Sequence, residues 1–501
     1  MLTSTLVVNK DVVIAALDRR IFGTFVEHMG RCIYGGIYEP GHPTADTNGF
    51  RQDVLALTRE LGATIVRYPG GNFLSGYNWE DGIGPKEKRP RRLDLAWGST
   101  ETNEFGTNEF VLWTRAAGVE PMLAVNLGTR GPDQARQLIE YCNHPGGTHY
   151  SDLRRSHGFP QPHGIKFWCL GNEMDGPWQI CQKTAAEYGR TAQETAKVMR
   201  WVDPNVQLTA CGSSNHAMPT YGYWEQEVLE HCFDHVEFIS LHQYFRNDAN
   251  DINSYFSVIE DLDTFIKEVV AIADSVAAKR RSPKRIMLAL DEWNVWYKAH
   301  TAADLRKPGW PVAPKLIEEV YNFEDALIVG GVLITLMNNA DRVKAACLAQ
   351  LVNVIGAIMT EAGGPAWRQT IYYPFSQASR FGHGSVLRTQ SRTDGYLLTA
   401  VLHDEQSGRY TVFALNRSAS EDMALSVEIN GMKKCRLHSA SELHHPDLKA
   451  ANTSSSPDTI KPHAHPRASI DGARLQAVLR PLSWNVFVTE PSVALGADAA
   501  A

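Results

Sequence analysis

Ile165-Lys-Phe-Trp-Cys-Leu-Gly-Asn-Glu173 starts as an apolar strand and ends on a carboxylate, and Arg285-Ile-Met-Leu-Ala-Leu-Asp-Glu292 repeats the pattern. Short, nearly continuous apolar runs of this kind are strands of a parallel sheet covered on both faces. Working outward, similar runs are Phe22-Gly-Thr-Phe-Val-Glu27, Ala63-Thr-Ile-Val-Arg-Tyr68, Pro121-Met-Leu-Ala-Val-Asn126, Val206-Gln-Leu-Thr-Ala-Cys211 and Val236-Glu-Phe-Ile-Ser-Leu241, with an eighth near Cys347 to Val352. Helical patterns separate them. Val54, Leu57 and Leu61 share a face that ends at Gly62, a C-cap residue, and Ala185, Tyr188, Ala192, Ala196 and Met199 share another that stops before Asp203-Pro204. A third pattern runs through Tyr255 to Ala278. Eight strands alternating with helices predict a (β/α)₈ TIM barrel over 21–375. An open doubly wound sheet competes with it, but no Gly-x-Gly-x-x-Gly turn follows an early strand.

Beyond 375 the texture changes to short strands separated by turn residues: Tyr396-Leu-Leu-Thr-Ala-Val-Leu402, Tyr410-Thr-Val-Phe-Ala-Leu415, Ala424-Leu-Ser-Val-Glu-Ile429 and Ser483-Trp-Asn-Val-Phe-Val488. An antiparallel, jelly-roll-like β-sandwich is expected over 376–501. The β-rich residues 1–20 are expected to join it. His438 to Ala468, rich in Ser, Pro and His, reads as a long loop. Its His444, His445, His463 and His465 lack acidic or thiol co-ligands, so no metal site is expected there.

At 501 residues with 43% apolar and 21% charged residues, the chain has the composition of a soluble globular protein large enough for two domains. A net charge of −7, mixed along the chain, argues against a nucleic-acid partner or an anionic membrane surface. No basic segment followed by an apolar one opens the sequence, and Ala326 to Met337, the most apolar run, is too short to span a bilayer. Eight scattered cysteines without a Cys-x-x-Cys pair suggest reduced, buried thiols in a cytoplasmic protein. Twelve tryptophans offer flat apolar walls for sugar faces, although most tryptophans serve cores.

Active sites of barrels lie at the C-terminal ends of the strands. Glu173 and Glu292 occupy two such ends, flanked by Trp178 and by Trp293, Trp296 and Tyr297. Either glutamate alone could equally be a structural partner of an arginine. Two at equivalent positions point to glycosidic cleavage, which needs one carboxylic acid to protonate the leaving oxygen and one carboxylate at the anomeric carbon. Glu27, Glu80 and Asp81 are weaker candidates for either a sugar or an arginine; His242 and Tyr244 could support a carboxylate. No Gly-x-Ser-x-Gly elbow, Walker loop or His-Glu-x-x-His motif is present.

Several segments resemble the α-L-arabinofuranosidases of glycoside hydrolase family 51. They are Phe25-Val-Glu-His-Met-Gly-Arg31, Tyr34-Gly-Gly-Ile-Tyr-Glu-Pro-Gly41, Val66-Arg-Tyr-Pro-Gly-Gly-Asn-Phe73, Tyr77-Asn-Trp-Glu-Asp-Gly-Ile-Gly-Pro85, Trp168 to Gln179, His242-Gln-Tyr244, Asp291-Glu-Trp-Asn-Val-Trp-Tyr297 and Ser483-Trp-Asn-Val486. The resemblance implies a retaining, exo-acting enzyme that needs no metal or organic cofactor. Its substrates would be arabino- and arabinoxylo-oligosaccharides. It implies Glu173 as acid/base and Glu292 as nucleophile. By the same resemblance Glu27, Asn72, Asn172, Tyr244 and Gln350 hold the arabinose, Arg67 and His242 support the nucleophile, and Trp97 and Trp296 form aromatic walls. A homo-oligomer, often a hexamer, is also implied. Cys181 stands where the family pattern leads one to expect glycine. The same barrel and carboxylates would also suit a β-xylosidase or an endoglucanase, and a non-catalytic carbohydrate-binding protein is the alternative from another class.

Overall fold

The computed structural model describes residues 1–297, 305–392, 395–430 and 434–492. Eight parallel strands close a barrel in chain order: Gly23–Phe25, Ile65–Tyr68, Glu120–Val125, Phe167–Leu170, Gln207–Ala210, Phe238–Phe245, Met287–Val295 and Val343–Ala349. Closure excludes the open doubly wound sheet. The eighth strand begins four residues before the expected Cys347 and ends at Ala349, so Gln350 lies past its end on the catalytic face. Val343 pairs with Leu288 and Ala345 with Ala289 of the seventh strand, on either side of a register shift, a long-range contact that local pattern does not display.

Helix Gln52–Leu61 buries Val54, Leu57 and Leu61 and ends at Gly62, whose φ of 77° is left-handed and suits glycine. Ala185–Val202 is capped by Thr184 and stops at Asp203, and Ile252–Lys279 is the long helix expected around Tyr255 to Ala278. Phe323–Asn338 is apolar on every side. It starts at a reciprocal cap between Asn322 and Asp325 and packs against both the barrel helices and the C-terminal strands. That double burial explains the apolar run at Ala326 to Met337, since each fully buried Leu or Ile contributes roughly 1.5–3 kcal/mol. Among the described residues no helix is long and apolar enough to cross a membrane.

The C-terminal region is a curled, mostly antiparallel ten-stranded sheet. Its concave face encloses Leu6, Val8, Val412, Leu425, Val427 and Phe487. Strand Leu2–Ala16 lies within it, parallel to Met423–Asn430 and antiparallel to Ser385–Arg392. Trp484, on the opposite face, stacks on Phe413, donates to Gln377 and meets Gly330 of the buried helix. The stretch expected as a loop from His438 is corrected in part: Cys435–Leu443 is a strand paired with Ser483–Pro491, and Ala468 opens another strand. Its polar side chains hide a strand whose stability comes from the partner, not from local propensity. Residues 493–501 of the expected sandwich lie outside the described residues. The eight cysteines are free thiols, seven buried and Cys181 exposed.

Candidate active site

The two glutamates reach the barrel mouth by different backbones. The fourth strand stops at Leu170; Gly171 (φ 89°) and Glu173 (φ 44°) then turn through the left-handed region, which aims Glu173 back over the barrel. A left-handed glutamate costs of order 1 kcal/mol or more and persists only where its surroundings hold it. Glu292 instead sits inside the seventh strand, next to a register irregularity. One oxygen of Glu173 and one of Glu292 lie within 4.8 Å of each other and of a ring nitrogen of His242.

Glu292 is gripped from both sides. Arg67, from the second strand, donates to one oxygen at 2.8 Å, and the Tyr244 hydroxyl donates to the other at 2.7 Å. The same guanidinium donates to Asn172 at 2.5 Å and pairs with Asp291 at 3.2 Å. His242 spans Glu173 at 3.0 Å and Asp291 at 3.2 Å. Burial opposes a charged imidazole here, but Glu292, Asp291 and the hydrogen bonds to Asp291 and Glu173 outweigh it and push His242 up to about 10. Burial likewise works against ionising Asp291, yet Arg67 and His242 hold its carboxyl below its ordinary range. The Trp178 indole donates to the second oxygen of Glu173 at 2.5 Å.

A second carboxyl closes the inner end of the pocket. Glu27 accepts from the Phe73 backbone N–H at 3.0 Å, from Trp97 Nε1 at 2.9 Å and from Gln350 Nε2 at 3.2 Å. Burial, then repulsion from Glu292, push it up to about 8. A Cβ on Gly70 would come within 2.8 Å of the Glu27 side chain, so the Gly70-Gly71 pair lets this loop approach closely. Gln350 Oε1 is buried without a protein partner, which leaves it to accept from a bound hydroxyl.

Of the residues expected at the site, Glu27, Asn72, Trp97, Glu173, Tyr244, Glu292, Trp296 and Gln350 line one cleft of about 1240 Å³. Arg67, Asn172 and His242 stand behind the carboxylates. Trp296 packs edge-on to Tyr244. Glu80 and Asp81 pair with Arg130 and Arg92, the arginine alternative considered for them. Sequence reasoning assigned no role to Asp291, although its place beside Glu292 at the end of an apolar strand was the available signal. Trp178 was noted only as a flanking aromatic. Met29, Ile317 and Ile355 also line the cleft, and nothing local marks them. Cys181, at φ 59°, adopts a conformation that glycine takes without strain, in keeping with the glycine expected there.

Residues 57–258 match the family termed alpha-L-arabinofuranosidase 1 domain, and residues 291–483 match the alpha-L-arabinofuranosidase C-terminal domain. The chain is 54% identical to the intracellular exo-alpha-(1->5)-L-arabinofuranosidase 1 of Bacillus subtilis, over 97% of this chain and 99% of that one. It is 53% identical to the intracellular exo-alpha-(1->5)-L-arabinofuranosidase of Halalkalibacterium halodurans, with the same two coverages. Among solved structures, a family 51 alpha-L-arabinofuranosidase from Bifidobacterium longum superposes with a TM-score of 0.93 at 41% identity, covering 97% of this chain and 99% of that chain. An alpha-L-arabinofuranosidase–arabinose complex from Thermotoga maritima gives 0.87 at 34%, covering 98% and 100%. With matches over nearly its whole length, the chain belongs to the α-L-arabinofuranosidases of glycoside hydrolase family 51.

Proposed function

We propose that this protein is a cytoplasmic, retaining, exo-acting α-L-arabinofuranosidase. It would remove terminal non-reducing α-L-arabinofuranosyl residues from arabino- and arabinoxylo-oligosaccharides by double displacement. The observation that carries the retaining reading is the approach of Glu173 and Glu292 to within 4.8 Å. Retaining pairs stand about 5–5.5 Å apart, whereas inverting pairs need roughly 6.5–9.5 Å to admit a water. The exo reading rests on the inner wall of Glu27, Trp97 and Gln350, which closes the cleft beyond the carboxylates. The cytoplasmic reading rests on the relatives named intracellular.

In the first step a Glu292 oxygen attacks the anomeric carbon, the bond to the leaving oxygen breaks, and Glu173 gives that oxygen its proton. In the second, Glu173 takes a proton from water, the hydroxide oxygen attacks the anomeric carbon, and the ester to Glu292 breaks. With Glu173 carrying the transferable proton, the cations Arg67 and His242 balance the anions Asp291 and Glu292. Asn172, held by Arg67, would meet the 2-hydroxyl, and Glu27 and Gln350 would hold other hydroxyls of the sugar. No step uses a metal or a cofactor. Assembly as a homo-oligomer, often a hexamer in this family, belongs to the same proposal.

Proton NMR of the first-formed sugar tests the stereochemistry, and mass spectrometry after a slow fluorinated arabinofuranoside tests the nucleophile. The α-anomer appearing first and a label on Glu292 are expected. Initial β-anomer would overturn the mechanism. Turnover of xylosides or cellulosic substrates above arabinofuranosides would overturn the substrate.

A further inference from the structure

Asn294 stands two residues past Glu292 in the seventh strand and is fully buried, outside the lining of the cleft. Its side-chain oxygen accepts from the Val295 backbone N–H at 2.8 Å, which identifies the other end of the amide as the donor. That nitrogen donates to two carbonyls in a distant part of the chain. One is Ala349, the last residue of the eighth strand, at 2.7 Å; the other is Ile355, in the loop that follows, also at 2.7 Å. The Tyr321 hydroxyl lies 3.3 Å from the same nitrogen and donates to the Val295 carbonyl at 2.6 Å, which secures the amide from behind.

The two carbonyls bracket Gln350. The Gln350 backbone N–H donates to the Ile355 carbonyl at 3.2 Å, so one oxygen serves both Asn294 and the loop. The Ile355 N–H in turn donates to the Ile317 carbonyl at 2.8 Å. Ile355 has a φ of 38° and Ile317 one of 46°. A β-branched residue in the left-handed region is strained and persists only where its surroundings hold it. Gln350, Ile355 and Ile317 all line the cleft. This part of the wall is therefore irregular backbone, tied through the Asn294 amide to the strand that carries Glu292.

We propose that Asn294 is a positioning residue for sugar binding: by holding the Ala349 and Ile355 carbonyls it fixes Gln350 and the Ile355 wall relative to Glu292. This rests on the function proposed above, in which Gln350 holds a sugar hydroxyl and Glu292 attacks the anomeric carbon. The Gln350 side chain is committed at one end, where Nε2 donates to Glu27 at 3.2 Å, and its Oε1 is buried without a protein partner. Its aim is then set by where its backbone stands. Removing the Asn294 amide takes a donor from each of two buried carbonyls and lets the strained segment move. Glu292 stays in place, because Arg67 and Tyr244 grip its oxygens independently of Asn294. The loss therefore falls on binding more than on the chemical step.

A double-mutant cycle tests this. Asn294→Leu keeps nearly the same volume without the donor, and Asn294→Ala is the second variant should the first not fold. The cycle is run on the glycoside that the unsubstituted enzyme cleaves fastest. A preference for a sugar other than arabinofuranose would overturn the function proposed above and leave the cycle readable. In the otherwise unsubstituted enzyme, kcat/KM is expected to fall about tenfold, carried mainly by KM. In a Gln350→Ala background the same change should cost less than about twofold, because the residue it positions is gone. An asparagine that only supports the fold would cost the same factor in both backgrounds, and that result overturns the proposal. So does a loss carried by kcat that persists without Gln350, which would place the effect on the nucleophile strand.

Discussion

The ends of the fourth and seventh barrel strands carry nearly the same message, an apolar run followed by Asn-Glu in one case and Asp-Glu in the other. Their surroundings differ. Glu292 remains within a strand and meets an arginine and a tyrosine hydroxyl. Glu173 lies past its strand in a left-handed turn and meets an imidazole and a half-exposed indole. Both oxygens of Glu292 are fixed by donors from neighbouring strands, whereas one oxygen of Glu173 is held by Trp178, which is itself about half exposed. One motif thus serves two chemical roles because different elements cover it.

Removing each carboxylate tests this asymmetry most severely. Glu292→Ala should lower turnover on all arabinofuranosides by about 10⁴-fold or more, with azide restoring part of it and giving the inverted product. Glu173→Ala should cost about 10²–10⁴-fold on oligosaccharides but far less on aryl substrates with good leaving groups, with azide giving the retained product. Identical behaviour of the two variants on both substrates would erase the distinction between the strand ends.

Smaller changes probe what surrounds Glu292. Arg67→Lys keeps the charge but loses the fork that reaches Glu292, Asp291 and Asn172 together, and should lower kcat about 10–100-fold. Tyr244→Phe removes one hydrogen bond and should cost about tenfold in kcat/KM. A loss from Tyr244→Phe as large as from Arg67→Lys would mean that the hydroxyl, not the cation, dominates that environment.

The smallest effect is in stability. Glu27 rises from 4.5 to about 8 on folding, so the folded protein holds a proton that the unfolded chain has lost between those values. Its stability contribution is complete below about pH 4.5 and is lost as pH rises through about 8. The unfolding midpoint of the empty enzyme should therefore fall by roughly a few degrees across that window, and Glu27→Gln should flatten the decline. A slope unchanged in Glu27→Gln would assign the effect to another buried group, such as Asp325.

Much of the barrel was legible because strand burial writes itself as apolar runs and helix burial as 3.6-residue periodicity. The eighth strand starts earlier than its apolar run indicates because Val343 and Ala345 gain their β conformation from Leu288 and Ala289 of the seventh strand. Cys435–Leu443 was read partly as loop for the same reason: its polar residues are stabilised by pairing with Ser483–Pro491. At the site, Glu173 and Glu292 stand out because charge at the end of an apolar strand is costly unless it is used. Ile317 and Ile355, which line the cleft, carry no comparable mark, since each acquires its place only from chain far away.

By itself the sequence determined the alternation of strand and helix, the two acidic strand ends and the family to which they belong, because these depend on residue type and local spacing. Only the tertiary structure decided that Glu173 and Glu292 approach within 4.8 Å, and that Arg67 and His242 hold them directly while both also pair with Asp291. Barrel closure sets those distances by joining strands more than a hundred residues apart, and no local rule encodes a separation of that kind.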